Sequence, residues 1–304
     1  VTAQQSDPIV AERTGAGTSV RALVRAARPK QWTKNVLVLA PLLPAGPQIF
    51  RADLLGVVLA LAAFCLVSSG VYLINDARDV EADRAHPVKR HRPIASGLVS
   101  VPAALSVAAV LVALALGLAA VQGTALLVVI ATYFAIQLLY CLGLKHEPVI
   151  ELACVASGFL LRALAGGVAA GIPLSQWFLL TTAFGSLFMA TGKRYGEARM
   201  GERTGGKVRL VVERYTTTYL RFVWTLAATV VLVTYALWSF EVGAASASVW
   251  PQVSLVPFGL AILRFAVDVD AGTAEEPEEI VVHDRVLLGL GLTWCVTLAL
   301  AVYA

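Results

Sequence analysis

The stretch "NDARDVEADRAHPVKRHRPIASG", Asn75–Gly97, holds four carboxylates (Asp76, Asp79, Glu81, Asp83) and five fixed cations (Arg78, Arg84, Lys89, Arg90, Arg92). Residues 54–74 before it and 93–144 overlapping its end contain no Asp, Glu, Lys or Arg at all. The whole chain of 304 residues is 58% hydrophobic and only 14% charged, so this cluster needs a reason. Apolar runs of about 20 residues match the hydrocarbon core of a bilayer. Backbone N–H and C=O groups cannot stay unpaired in lipid, and the runs lack the alternation of a β-barrel, so each is expected to be a helix. The fold class expected is therefore all-α, a polytopic membrane helical bundle.

Nine spans are expected, at roughly 33–50, 54–75, 102–121, 124–143, 149–170, 175–192, 222–241, 251–267 and 286–304. Pro41, Pro44 and Pro47 make the first one irregular. With the N-terminus inside, of 24 Lys plus Arg only Arg51 falls outside and only Arg162 lies deep in a span, leaving 22 on the inner side. That bias predicts N-in and C-out, with the charged face toward the cytoplasm of a plasma-membrane protein. Residues 1–20 are polar and lack the apolar core of a signal peptide, so they are expected to form a disordered cytoplasmic tail. Residues 21–304 then form one transmembrane domain with inner loops at 76–101 and 193–221. These loops follow spans two and six, which suggests a duplicated four-helix unit. The acidic run from Asp268 to Asp284 is expected to be a solvated connector. The four cysteines have no metal spacing and fit as small core residues. Small residues from Ala163 to Gly171 suit helix packing within a protomer or between protomers of a homo-oligomer. Partners expected are membrane lipid and phosphorylated substrates, with no nucleic acid.

If the second span continues as a helix, Asn75, Asp79 and Asp83 recur at i, i+4 and i+8 on one face, with Asp76 at its flank. Hard oxygen ligands on one stripe suit Mg²⁺, which favours a few carboxylates together with phosphate oxygens. Lys89, Arg90 and Arg92 then offer charge to the phosphates. A solvated helix end with mixed-sign pairs would share this composition. Carboxylates at a membrane edge are costly, however, and the compact register favours a metal–diphosphate site.

The pattern Asn75-Asp76-x-x-Asp79-x-x-x-Asp83 resembles the first Asp-rich motif of the UbiA superfamily of intramembrane prenyltransferases. His86-Pro87-x-Lys89-Arg90-x-Arg92-Pro93 and Arg28-Pro29-Lys30-Gln31-Trp32-Thr33-Lys34-Asn35 are similar to that family as well. The resemblance extends over nearly the whole chain from about residue 21. It implies a UbiA-like bundle in which the carboxylates hold Mg²⁺ and a diphosphate.

One element departs from the aromatic prenyltransferases of that superfamily. Where they carry a second pair of aspartates after span six, this chain has Lys193, Arg194, Tyr195, Gly196 and Glu197. Lys193 and Glu197 also suit a surface ion pair at i, i+4. A single carboxylate cluster facing bases suits a donor with a diphosphate and a further phosphate. The motif resembles the branch, in mycobacteria and relatives, that takes phosphoribosyl from phosphoribosyl pyrophosphate (PRPP) and gives it to decaprenyl phosphate, toward the arabinose donor of cell-wall arabinan. That resemblance implies metal ligation and catalysis by Asp76, Asp79 and Asp83 with help from Asn75. It implies phosphate binding by Lys89, Arg90, Lys193 and Arg194, and by Lys30 and Lys34. Tyr195 and Glu197 are candidates for ribose hydroxyls or a second metal. Glu151 lies near the inner mouth, and Arg162 needs a buried partner that the sequence does not reveal. The rival readings are an aromatic prenyltransferase with a polyprenyl diphosphate donor and a secondary transporter.

Overall fold

A computed structural model of the chain describes residues 19–204, 210–271, 280 and 283–303. The tail expected at 1–20 lies outside these residues up to position 18, and so does most of the acidic connector. Among the described residues every regular element is helical. A short helix α1 (Val20–Ala26) is followed by two 3-10 segments, Pro29–Leu42 and Gly46–Arg51. Then come α2 (Leu54–Arg78), α3 (Val80–Ala85), α4 (Val101–Gln122), α5 (Thr124–Leu142) and α6 (Ile150–Ala170). The second half holds α7 (Gln176–Thr204), α8 (Leu210–Glu213), α9 (Thr217–Ser246), α10 (Trp250–Ala271) and α11 (Arg285–Tyr303).

Seven helices, α2, α4, α5, α6, α9, α10 and α11, are long and apolar enough to cross a membrane. The other two expected spans take different forms. The first is 3-10 rather than α, with i→i−3 bonds such as Gln31 N–H to Arg28 C=O at 2.9 Å and Leu43 N–H to Ala40 C=O at 3.2 Å. Fourteen residues in that form reach about 28 Å, against about 21 Å as α-helix. The sixth is contained in α7, which does not stop at residue 192 but runs on through Lys193–Thr204. The expected loop 193–221 therefore begins as helix, because Lys, Arg, Glu and Ala in this stretch are good helix formers.

Helix starts are marked by side-chain caps. Asp53 accepts from Gly56 N–H at 2.8 Å, Ser100 from Ala103 N–H at 3.3 Å and Thr216 from Tyr219 N–H at 3.1 Å. Two large cores form, beside a smaller one around Ala26, Leu73 and Ile94. One gathers Val38, Phe64, Val67, Leu126, Ile130 and Tyr133 from the first half, and the other gathers Phe188, Tyr195, Leu220, Phe265 and Val269 from the second. The closest partnerships, α2 with α4 and α7 with α9, repeat across the halves.

Helix α6 joins the parts, packing on α7 and on the first 3-10 segment. A Cβ on Gly166 would lie 1.8 Å from the Val38 carbonyl oxygen, so this approach tolerates no side chain. One turn away, Arg162 donates from Nε to Asn35 Oδ1 at 2.7 Å, from Nη1 to the Gly158 carbonyl at 2.7 Å and from Nη2 to Tyr133 Oη at 3.2 Å. The rings of Tyr133 and Phe64 lie 5.0 and 5.3 Å from its guanidinium. The deep cation is thus solvated by neutral oxygens and aromatic faces. In doing so it ties the 3-10 segment to α6.

Candidate active site

The stripe at the end of α2 keeps its register through a break. Helix α2 ends at Arg78, and Asp79 sits at φ −90°, ψ 8° before α3 begins. Yet Asp79 N–H donates to Asn75 C=O at 2.9 Å and Asp83 N–H to Asp79 C=O at 2.8 Å. The i→i−4 ladder therefore stacks Asn75, Asp79 and Asp83 as the sequence pattern requires.

Each carboxylate is matched by a cation from elsewhere in the fold. Asp76, 2% exposed, accepts from Arg28 Nη2 at 2.6 and 2.7 Å and from Arg92 Nη1 at 3.2 Å. Arg92 Nη1 also donates to Asp83 Oδ2 at 2.7 Å, and Asp83 is 3% exposed. Asp79 pairs with Lys145. Arg28 takes a left-handed conformation, φ 55° and ψ 59°, unusual for a side chain with a Cβ. Asn75 Oδ1 faces the Cys141 thiol at 3.7 Å.

The donor chemistry fits Mg²⁺: two carboxylates and an amide oxygen on one helical stripe, with the carboxylate of Asp76 at its flank, all hard ligands. Among the described residues no three His, Cys, Asp or Glu side chains converge at metal-ligand spacing. The carboxylates are instead turned onto Arg28, Arg92 and Lys145.

The second motif, in the second half of α7, is built around Arg194. Its Nε and Nη2 donate to Glu151 Oε1 and Oε2, both at 2.9 Å. Its Nη1 donates to both oxygens of Glu197 at 3.2 Å. Glu151 is 0% and Arg194 4% exposed. Tyr195 packs in the second core, and its hydroxyl lies between Arg221 Nη2 at 2.8 Å and Asp270 Oδ1 at 3.3 Å. Lys193 is half-buried on the same helix.

The remaining bases lie on two other elements. Lys89, half-buried, and Arg90, exposed, form a short 3-10 turn with His91, whose Nε2 accepts from Arg90 Nε at 3.3 Å. Lys30, exposed, and Lys34, half-buried, ride on the Pro29–Leu42 segment. The sequence points to Glu151 near the inner mouth but not to its partner Arg194. Arg28 and Arg92 stand in its motifs, but their clamp on Asp76 does not follow from spacing, and Lys145 stands in no motif. The one signal for Lys145 is that it is the first charge after the uncharged run 93–144.

Two cavities are present, one beside these groups and one remote from them. A cleft of about 360 Å³ is lined by Arg25, Arg28, Asp76, His91 and Arg92. An apolar cavity of about 190 Å³ is lined by Leu43, Trp177, Phe178, Tyr235, Phe258 and Trp294, among others. Trp177 lies in the first turn of α7 and Arg194 about 25 Å further along its axis. The apolar cavity thus sits at the other end of the bundle from the second motif.

Comparison with known proteins finds relatives in both sequence and fold. Residues 36–303 match the family described as UbiA prenyltransferase family. A Corynebacterium glutamicum protein named decaprenyl-phosphate phosphoribosyltransferase is 55% identical over 287 residues, covering 92% of this chain and 86% of its own. A Mycolicibacterium smegmatis protein of the same name is 53% identical over 297 residues, covering 93% of both chains. In fold, the structure of a UbiA homolog from Archaeoglobus fulgidus bound to GPP and Mg²⁺ is similar with a TM-score of 0.69. That likeness covers 92% of this chain and 98% of that one, at 17% identity.

Proposed function

Because the chain belongs to the UbiA prenyltransferase family, we propose that it transfers 5-phosphoribosyl from PRPP to decaprenyl phosphate. The products are pyrophosphate and decaprenylphosphoryl-5-phosphoribose. The observation that carries this reading is 53–55% identity, over 92–93% of the chain, to two proteins named for that activity. The positive-inside bias supports a cytoplasmic orientation of the charged end of the bundle, where a soluble sugar phosphate would be available.

The reaction breaks the bond from ribose C1 to pyrophosphate and forms one to a lipid-phosphate oxygen. Asp79 and Asp83, assisted by Asn75 and Asp76, would hold Mg²⁺, which when bound neutralises charge on the departing pyrophosphate. Arg28, Arg92 and Lys145 already balance these carboxylates. They therefore stand beside the metal ligands as cations that an anionic substrate can recruit. Lys89, Arg90 and Lys193 add phosphate contacts, and Lys30 and Lys34 bring further charge on the 3-10 segment. Arg194 has every nitrogen engaged by Glu151 and Glu197, so it serves by fixing the turn of α7 that carries Lys193. Tyr195 and Glu197 complete that turn, Tyr195 through Arg221 and Asp270.

No protein nucleophile is needed, since the lipid phosphate is ionised near neutral pH and attacks without a general base. The aromatic-lined cavity suits part of the polyprenyl tail, whose remaining length runs into the bilayer.

The reading is tested with purified protein in detergent, Mg²⁺, decaprenyl phosphate and ribose-labelled PRPP. Label is expected in the lipid phase. A parallel reaction offers a polyprenyl diphosphate and an aromatic acid. Prenylation of the acid by folded protein, without labelled lipid from the first reaction, rejects the proposal.

A further inference from the structure

The cleft beside Asp76 holds more hydrogen-bond donors than its carboxylate can use. A guanidinium carries five N–H donors on three nitrogens. Arg28 meets Asp76 through Nη2 alone, which leaves its Nη1 and Nε without an acceptor among the described residues. Arg92 meets Asp76 and Asp83 through Nη1 alone, which leaves Nη2 and Nε likewise. Arg25 is exposed at the end of α1 and has no carboxylate partner among the described residues. Its helix is fixed, because the next residue, Ala26, is buried in a core with Leu73 and Ile94. Three guanidiniums line the cleft against the carboxylate of Asp76, and Arg92 also meets Asp83 behind it, which leaves an excess of one positive charge.

We propose that this cleft is a phosphate-monoester subsite, with Arg25, Arg28 and Arg92 as its ligands and Asp76 as the buried anchor that orients two of them. A phosphate monoester brings negative charge and three acceptor oxygens, which suit the net positive excess and fill the unused donors. The left-handed backbone of Arg28 supports this assignment, since strain of that kind collects where a side chain is held for a ligand. The subsite stands on the donor geometry, and only the identity of its occupant rests on the function proposed above. Two substrates carry such a group: PRPP at its 5-position and decaprenyl phosphate at its head.

The test uses full-length protein in detergent and the variants Arg25→Ala and Arg25→Lys, each shown to unfold at the wild-type temperature. Binding of ribose 5-phosphate, and separately of decaprenyl phosphate, is measured without metal by calorimetry. Arg25→Ala should weaken one of them by about 10- to 100-fold, the range for a lost charge-assisted bond. Arg25→Lys should recover only part, because an ammonium lacks the guanidinium fork. In transfer kinetics, a rise in KM for PRPP with kcat within about 3-fold assigns the subsite to the sugar phosphate. The same rise in KM for decaprenyl phosphate assigns it to the lipid head. The subsite is overturned if both ligands bind wild type and Arg25→Ala alike, or if wild type binds neither. Absence of transfer by wild type would reject the proposed function, while the binding comparison would still decide the subsite.

Discussion

The two halves of the bundle each bury a charge triad, and the triads have opposite signs. In the first half the carboxylate of Asp76 lies between Arg28 and Arg92. In the second half the guanidinium of Arg194 lies between Glu151 and Glu197. Both centres are nearly sealed from solvent, and an unpaired charge there would cost several kcal/mol. They differ in what is left over. Arg194 uses all three nitrogens on its two glutamates, so that triad is closed. Asp76 engages one nitrogen of each arginine, so donors remain for a ligand. Burial and pairing alone therefore do not separate a structural ion cluster from a binding site; the unused donors do.

The comparison breaks most readily at the closed triad. Glu151→Ala leaves Arg194 buried with half its acceptors gone, and should destabilise the protein by about 3–5 kcal/mol in thermal unfolding in detergent. A change under about 1 kcal/mol would show that this triad is not closed to water. The open triad should instead depend on the segment that delivers Arg28. Gly166→Ala drives a Cβ into the Val38 carbonyl, and is expected to cost about 1–3 kcal/mol. Transfer activity should fall with it, since Lys30 and Lys34 ride on that segment and Arg28 directly precedes it. Unchanged activity with reduced stability would uncouple the segment from the site. Lys145→Ala, removing the partly exposed partner of Asp79, should cost at most about 1 kcal/mol of stability. Its effect should appear in kcat/KM, which is expected to fall by about 10-fold.

The smallest effect concerns an exposed carboxylate outside both triads. The Gly56 N–H, followed by Gln122, holds the Asp53 carboxyl below its ordinary value of 3.8. A lowered folded-state value stabilises above the unfolded value and is lost as pH falls through the folded one. Acid unfolding scans below about pH 4 should therefore show a slightly shallower loss for Asp53→Asn than for wild type. Identical scans would mean the ionised carboxylate contributes nothing beyond what a neutral cap supplies.

Much of this was legible in the sequence, but unevenly. The stripe of Asn75, Asp79 and Asp83 follows from i, i+4 spacing alone and survives a helix break. Seven spans follow from uninterrupted apolar runs. The irregularity of the first span follows from its prolines, but its 3-10 form and its docking against α6 at Gly166 do not. The end of α7 looked like a loop because its charges lower the hydropathy, although the same residues favour helix. The pairings of Arg28 with Asp76, Lys145 with Asp79 and Arg162 with Asn35 join residues 48, 66 and 127 positions apart. No local period encodes such separations. Arg162 was harder still, because a search for its partner looks for a carboxylate and the fold supplies an amide, a carbonyl and aromatic rings.

The most direct test of the account is transfer of labelled phosphoribosyl to decaprenyl phosphate by Asp83→Asn, alongside wild type, with Mg²⁺ and after its removal by chelation. Asp83→Asn keeps an acceptor for Arg92 and should unfold near the wild-type temperature. Its transfer rate should fall by at least about 100-fold, as should that of chelated wild type. A folded Asp83→Asn protein that transfers at the wild-type rate would contradict the assignment of the stripe after α2 as the catalytic centre.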